Sequence, residues 1–293
     1  MIKKIVFVAI PILITSIAFE IILNQTLSYV PSWIVYTKFI LLFSMYFLSI
    51  LISKLHEYSR FLLVLTFIIL INQLTVTIQN SQFWHTAFDS TTFTGNFGSS
   101  ILLKIIGVVP MIALLFIMFK SNKEFFFCKG DLNTKADKIS WLGIKSDTIS
   151  WRKLTIFSAV LISLGTILLT IFTVTSYSSV KGISGFIKYL PFISLLALGN
   201  SFCEGVLFRS AILGTLKNVL PKNQLIIIAA LFFGIGHYYG APGGPIGIVM
   251  GGLLGWYLCR SMYETKGFAS SWIIHFAQDF VIFSTIYLLG NFS

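Results

Sequence analysis

Apolar runs of about 20 residues, joined by short connections that carry Lys and Arg on every second one, constrain this chain more than any other feature. A backbone that crosses hydrocarbon must satisfy its N–H and C=O groups internally, so each run is expected to be a helix. The runs are Ile5 to Leu23, Trp33 to Ser53, Phe61 to Gln79, Ile101 to Phe119 and Leu154 to Val174. The C-terminal part adds Ile187 to Leu220, Gln224 to Tyr239, Ile246 to Cys259 and Ser270 to Leu289. The expected fold is therefore an all-α, polytopic helical membrane protein with eight or nine transmembrane helices. Lys3 and Lys4 ahead of the first run imitate a signal peptide. The apolar stretch is too long for one and no clean small-x-small site follows, so an uncleaved first span is expected.

Composition excludes the alternatives. With 56% apolar and 11% charged residues and 29 Phe, the chain suits neither a water-soluble globule nor a disordered tail. The net charge of +11 does not point to nucleic acid, because the basic residues sit in connections, where membrane orientation requires them. Lys3 and Lys4, Lys54 and Arg60, the segment Lys120 to Lys153, Lys217 and Lys222, and Arg260 and Lys266 fall on alternate connections. Gln79 to Ser100 and Tyr239 to Pro245 hold no Lys or Arg. The N-terminus is expected in the cytoplasm and, with nine spans, the C-terminus outside; Lys181 and Lys188 are exceptions. Lys120 to Lys153, with eight basic and four acidic residues, divides the chain into a four-span region 1–119, a basic cytoplasmic loop 120–153 and a C-terminal membrane core 154–293. The loop reads as a solvated segment that enforces orientation. Cys128, Cys203 and Cys259 have no metal-type spacing and are expected to stay reduced.

Ionisable groups cost about 2.5 to 3.5 kcal/mol to place in a membrane helix, so their positions are informative. In the first five spans only Glu20, Lys38 and Lys104 lie within apolar runs. Glu20 is expected to reach the headgroups, and the two lysines can snorkel. The C-terminal part differs. Asn200, Glu204 and Arg209 share one helix-length segment, His237 ends the next, and His275, Gln278 and Asp279 lie in the last. Asn200 and Glu204, Phe233 and His237, and His275 and Asp279 are each four apart, so three helices each present one polar stripe. Arg209, five residues past Glu204, would stand about 140° round an α-helix and pair elsewhere. Counted from the Pro221-Lys222 turn, Glu204 lies at about 27 Å and His237 at about 22 Å; His275 is only about 13 Å beyond Lys266, a mismatch in depth. Gly234, Gly236, Gly247, Gly251, Gly252 and Gly255 would let these helices approach closely.

One Glu and two His on separate helices, with an Asp one turn from the second His, can activate water. Glu204 is the candidate general base, His237 a second holder of the water, and His275 with Asp279 the group that orients or stabilises a substrate carbonyl oxygen. The same donors allow a metal version in which Glu204, His237 and His275 hold one Zn2+. If Glu204 is a ligand, however, no separate base is evident. The zincin motif is absent: His56-Glu57 is followed by Arg60 where a second His would be needed.

The segments Glu204-Gly205-Val206-Leu207-Phe208-Arg209, Phe233-Gly234-Ile235-Gly236-His237 and His275-Phe276-Ala277-Gln278-Asp279 resemble, in order and spacing, the three motifs of the CPBP family. That family comprises type II CAAX prenyl endopeptidases and bacterial bacteriocin-processing or self-immunity proteins; its motifs read Glu-Glu-x-x-x-Arg, Phe-x-x-x-His and His-x-x-x-Asn or Asp. Gly130-Asp131-Leu132 followed by Trp141-Leu142-Gly143-Ile144 and Trp151 also looks like the loop that precedes the core in bacterial members. The resemblance, which covers the chain from about Lys188 onward, implies an intramembrane (metallo)protease with Glu204, His237, His275 and Asp279 catalytic. Arg209 and Phe233 would be structural members of the motifs, with Asn200 in support. Gly205 departs from the pattern, which has a second Glu there.

The expected function is hydrolysis of a peptide bond in a membrane-associated or lipid-anchored peptide that reaches a cytoplasm-facing cavity, with membrane lipids as further partners. The alternative is a catalytically silent member that confers bacteriocin self-immunity or scaffolds envelope proteins. A small proton-relaying transporter is a third possibility, disfavoured by the absence of an inverted second half. The resemblance and a composition rich in Ile, Phe and Lys suggest a bacterial plasma membrane.

Overall fold

A computed structural model describes residues 2–173, 183–240 and 242–289; Lys181 and the end of the run at Val174 lie outside the described residues. The apolar runs fold as helices α1 (Ile2–Thr15), α2 (Ala18–Leu27), α3 (Trp33–Leu51), α4 (Ser59–Gln79), α5 (Gln82–Ala87), α6 (Phe93–Met118), α7 (Trp151–Thr173) and α8 (Ile183–Glu204). After a six-residue π-helical stretch, Gly205–Ser210, come α9 (Ala211–Leu216), α10 (Lys222–Gly236), α11 (Gly244–Thr265) and α12 (Ala269–Leu289). Among the described residues six helices are long and apolar enough to cross a membrane, and seven if the bent pair α1 and α2 is one span. The chain is an integral membrane protein. The expectation of eight or nine crossings exceeds that number because α10, with 15 residues, is short and α11, which carries Arg260 and Glu264, is not among the six.

The expected first span is broken by 54° between α1 and α2. Lys38, buried on α3, donates to the Ser16 carbonyl at the break (2.7 Å) and to both carboxylate oxygens of Glu20. Lys38, with a side chain 4% exposed, therefore does not snorkel, and Glu20, 25% exposed, has it as its partner. They pair with each other inside the bundle, where one ammonium serves both the carbonyl freed by the kink and a carboxylate.

The basic segment keeps most of its charged residues exposed, but it is also anchored to the helix ends. Phe268 N–H donates to the Cys128 carbonyl (2.7 Å) and Asp131 N–H to the Thr265 carbonyl (2.8 Å). Trp151 Nε1–H donates to Glu264 (2.8 Å), and Lys222 bridges Glu264 and Asp137. The Lys222 hydrogen bond holds the Asp137 carboxyl below the usual aspartate range. Segment 122–138 thus docks on the ends of α9, α10, α11 and α12, joined to them through backbone groups that the helix ends leave free.

Where the segment docks, two glycines meet. Gly130 has φ +76°, and a Cβ on Gly267 would lie 2.2 Å from the Gly130 nitrogen. Gly130→Ala is expected to cost about 1–2 kcal/mol from the left-handed backbone alone. The loss should appear as a lower thermal midpoint in detergent and as faster proteolysis of segment 122–138.

Candidate active site

The three polar stripes meet at the centre of the bundle. Glu204 ends α8, and its Oε2 stands 3.6 Å from His275 Nε2 on α12. One turn on, Asp279 Oδ1 lies 3.5 Å from the same nitrogen, and Asn200 Nδ2 donates to Asp279 Oδ2 (3.0 Å). Trp272 Nε1–H, bonded to the Leu198 carbonyl (3.3 Å), holds α12 against α8 so that these carboxylates face one another. The difference in depth inferred by residue counting is resolved locally. Residues 217–221 form a turn rather than helix, and the π-helical stretch packs more residues into each turn. Glu204 is therefore closer to the turn, and nearer the level of His275, than a uniform α-helix would put it.

The same π geometry corrects the placement of Arg209. In a π-helix the hydrogen bonds run from i to i+5, which aligns residues five apart. Arg209, fully buried, consequently turns back toward the site: its Nη2 lies 3.2 Å from His275 Nδ1 and 3.3 Å from the Ser201 carbonyl, and its guanidinium stands over the Phe233 ring. A guanidinium only donates, so His275 Nδ1 is the acceptor and its Nε2 carries the hydrogen. Nε2–H then points between Glu204 and Asp279, with Glu204 Oε2 buried and without a hydrogen-bond partner.

His237 caps α10 and is half-buried. Its Nδ1 meets the Phe233 carbonyl at 2.8 Å; a carbonyl only accepts, so Nδ1 holds the proton and Nε2 keeps the lone pair. Both rings are seated on the glycine face of α11. A Cβ on Gly251 would come within 2.8 Å of the His237 ring, and one on Gly255 within 2.8 Å of Phe233. His237 lines the same cavity as Glu204, a space of about 480 Å³ bounded by α4, α6, the end of α8 and the end of α10.

One residue of the site was not among the candidates. Lys104 on α6 donates to Glu204 Oε1 at 2.7 Å and to Asn200 Oδ1. Its side chain, 40% exposed, lines the cavity, whereas that of Glu204 is 13% exposed. The signal available in the sequence was a lysine within an apolar run, three residues past Ile101, facing no charged neighbour on its own helix.

The space beside Gly205 is filled. A Cβ there would lie 2.5 Å from Phe268 Cζ and 2.9 Å from Arg209 Nη2. Gly205→Glu should therefore lower stability by about 1–3 kcal/mol through overpacking, read as a lower thermal midpoint, rather than add a working second carboxylate.

Among the described residues no three His, Cys, Asp or Glu side chains are grouped to hold a metal ion. Glu204 Oε1 is occupied by Lys104 and His275 Nδ1 by Arg209. Glu204 Oε2 remains without a hydrogen-bond partner, and no chemical step is routed through a metal.

Neither the curated proteins nor the solved structures include a match to the chain. Residues 186–281 match the family model of the Rce1-like type II CAAX prenyl endopeptidases, and this stretch holds all the site residues except Lys104. That segment, about a third of the chain, is similar to the Rce1-like family of type II CAAX prenyl endopeptidases.

Proposed function

We propose that the protein is an intramembrane endopeptidase that hydrolyses a peptide bond in a membrane-associated or lipid-anchored peptide. The observation that carries this reading is the unpaired, buried Glu204 Oε2 facing His275 Nε2–H beside a cavity large enough for an extended peptide. Water held between Glu204 Oε2 and His237 Nε2 gives a proton to the carboxylate as its oxygen adds to the substrate carbonyl carbon. His275 Nε2–H, its tautomer set by Arg209, donates to the oxygen that becomes negative. Glu204 then passes the proton to the departing amine nitrogen as the C–N bond breaks, which leaves one carboxyl and one amino terminus. Asp279, anchored by Asn200, holds the imidazole in place. Lys104 supplies the charge that lets Glu204 stay a carboxylate before substrate enters.

The family match over residues 186–281 supports the choice of substrate class, because that family acts on prenylated peptides. The bacterial plasma membrane, with the N-terminus in the cytoplasm, is the setting we propose from the charge pattern and the resemblance.

The second reading is a catalytically silent member acting in bacteriocin self-immunity or as an envelope scaffold. It is favoured by Gly205 in place of the second motif carboxylate and by the Lys104–Glu204 ion pair, which occupies one oxygen of the base. His237→Ala and His275→Ala separate the two. With full-length protein in proteoliposomes and a farnesylated reporter peptide, the hydrolase reading expects each to lose about a hundredfold or more of the cleavage rate at unchanged expression. Immunity or partner binding that survives both substitutions, with no cleavage by the native chain, supports the scaffold.

A further inference from the structure

The cavity that contains Glu204 has two ends of different character. At one end its lining is Gln79, Ser100, Tyr239 and Gly240; toward the other it reaches Ile71, Gly107 and Leu207. Gln79 is the last residue of α4, about 30 Å of helix from Ser59, and Arg60 stands at the opposite end. Ser100 lies two turns into α6, whose far end at Met118 adjoins Lys120. Tyr239 and Gly240 follow α10, whose first residue, Lys222, is tied to Asp137 and Glu264 beneath the basic segment. All four mouth residues therefore lie on the face whose connections, Gln79 to Ser100 and Tyr239 to Pro245, contain no Lys or Arg. Gln79, Tyr239 and Gly240 are exposed.

The opposite approach is closed by aromatic rings. Phe127, Phe202 and Phe268 pack with centroids 5.6–6.0 Å apart, directly under Gly205. Phe125 lies against Gly214, and its carbonyl accepts from Ser210 Oγ at 2.5 Å. The docked segment 122–138 thus seals the site from the face that carries the basic connections. That face is cytoplasmic by the positive-inside rule.

We propose that the site takes its substrate from the extracytoplasmic face of the membrane, and that the substrate is a polypeptide segment already exported to that side. This rests on the hydrolase reading, and it replaces the cytoplasm-facing cavity expected from the sequence. The cavity suits such a segment: from Gln79 and Ser100 at the mouth to Thr75 and Asn72 deeper in, its lining offers side-chain donors and acceptors to an extended peptide backbone. Below them Lys104, half-buried and paired with Glu204, presents a cation toward which a substrate carboxylate would be attracted.

The test uses the full chain in intact cells, in a Cys128→Ser background that leaves Cys203 and Cys259 buried. Gln79→Cys and Tyr239→Cys report the mouth, and Lys145→Cys, exposed in the basic segment, reports the other face. A membrane-impermeant maleimide should label positions 79 and 239 without permeabilisation, and position 145 only after it. Labelling of 145 in intact cells with 79 and 239 protected until permeabilisation overturns the proposal. In right-side-out vesicles, the maleimide adduct at Tyr239→Cys should slow hydrolysis of an externally added peptide at least tenfold. Cleavage of peptide only when it is enclosed in the lumen also overturns the proposal. If the native chain cleaves no peptide from either side, the hydrolase reading fails, while the labelling pattern still decides which face the mouth occupies.

Discussion

Glu204→Gln is expected to lower the rate of peptide cleavage by about a hundred- to ten-thousand-fold, the range that a general base contributes, with KM little changed. The substitution keeps the shape of the side chain and its hydrogen bond from Lys104, because the amide oxygen still accepts. What it removes is the oxygen that takes the proton from water. Steady-state kinetics of the full-length protein in proteoliposomes check this. A fall in kcat/KM that comes entirely from KM would point to a lost binding contact instead of a lost base.

Lys104→Met carries the second large effect, on stability. It leaves the buried Glu204 carboxylate, which shares His275 Nε2 with the Asp279 carboxyl, with its closest cation gone. Removing one member of a buried ion pair costs about 3–5 kcal/mol; because the Lys104 side chain is 40% exposed in the cavity, solvent screening reduces the expectation to about 1–3 kcal/mol. The double variant Lys104→Met/Glu204→Gln should recover most of that loss, because the charge that needed a partner is gone. Thermal unfolding of the four proteins in detergent measures the coupling as a double-mutant cycle. Strict additivity would show that the 2.7 Å contact contributes nothing to stability.

Lys104 also shows where the sequence stopped being legible. Its partner Glu204 lies 100 residues away on another helix, and no local spacing links them. A lysine in an apolar run has an ordinary destination, the headgroups, so nothing in the chain order marked it as part of a site. Glu20 and Lys38 were obscured in the same way, as an ion pair between two helices. The long apolar runs, by contrast, dictate helices through backbone hydrogen bonding alone. The four-residue spacings of Asn200 with Glu204 and of His275 with Asp279 dictate shared faces through helical geometry.

Arg209 was misplaced for a definite reason. The five-residue offset from Glu204 separates two side chains on an α-helix but aligns them on a π-helix, and the local winding at Gly205–Ser210 is not encoded in hydropathy. The docking of the basic segment was not legible because it runs through backbone hydrogen bonds and a glycine contact, neither of which has a periodic signature. Its charges, which are legible, describe the face it sits on and not what it packs against.

Hydrolysis at Glu204 is tested most directly by incubating the reconstituted chain with a membrane-tethered reporter peptide in water enriched in oxygen-18 and weighing the products. The predicted result is one solvent oxygen in the new carboxyl terminus, formed by the native chain and not by Glu204→Gln. Product of normal mass, or labelled product formed equally well without the Glu204 carboxylate, would contradict it.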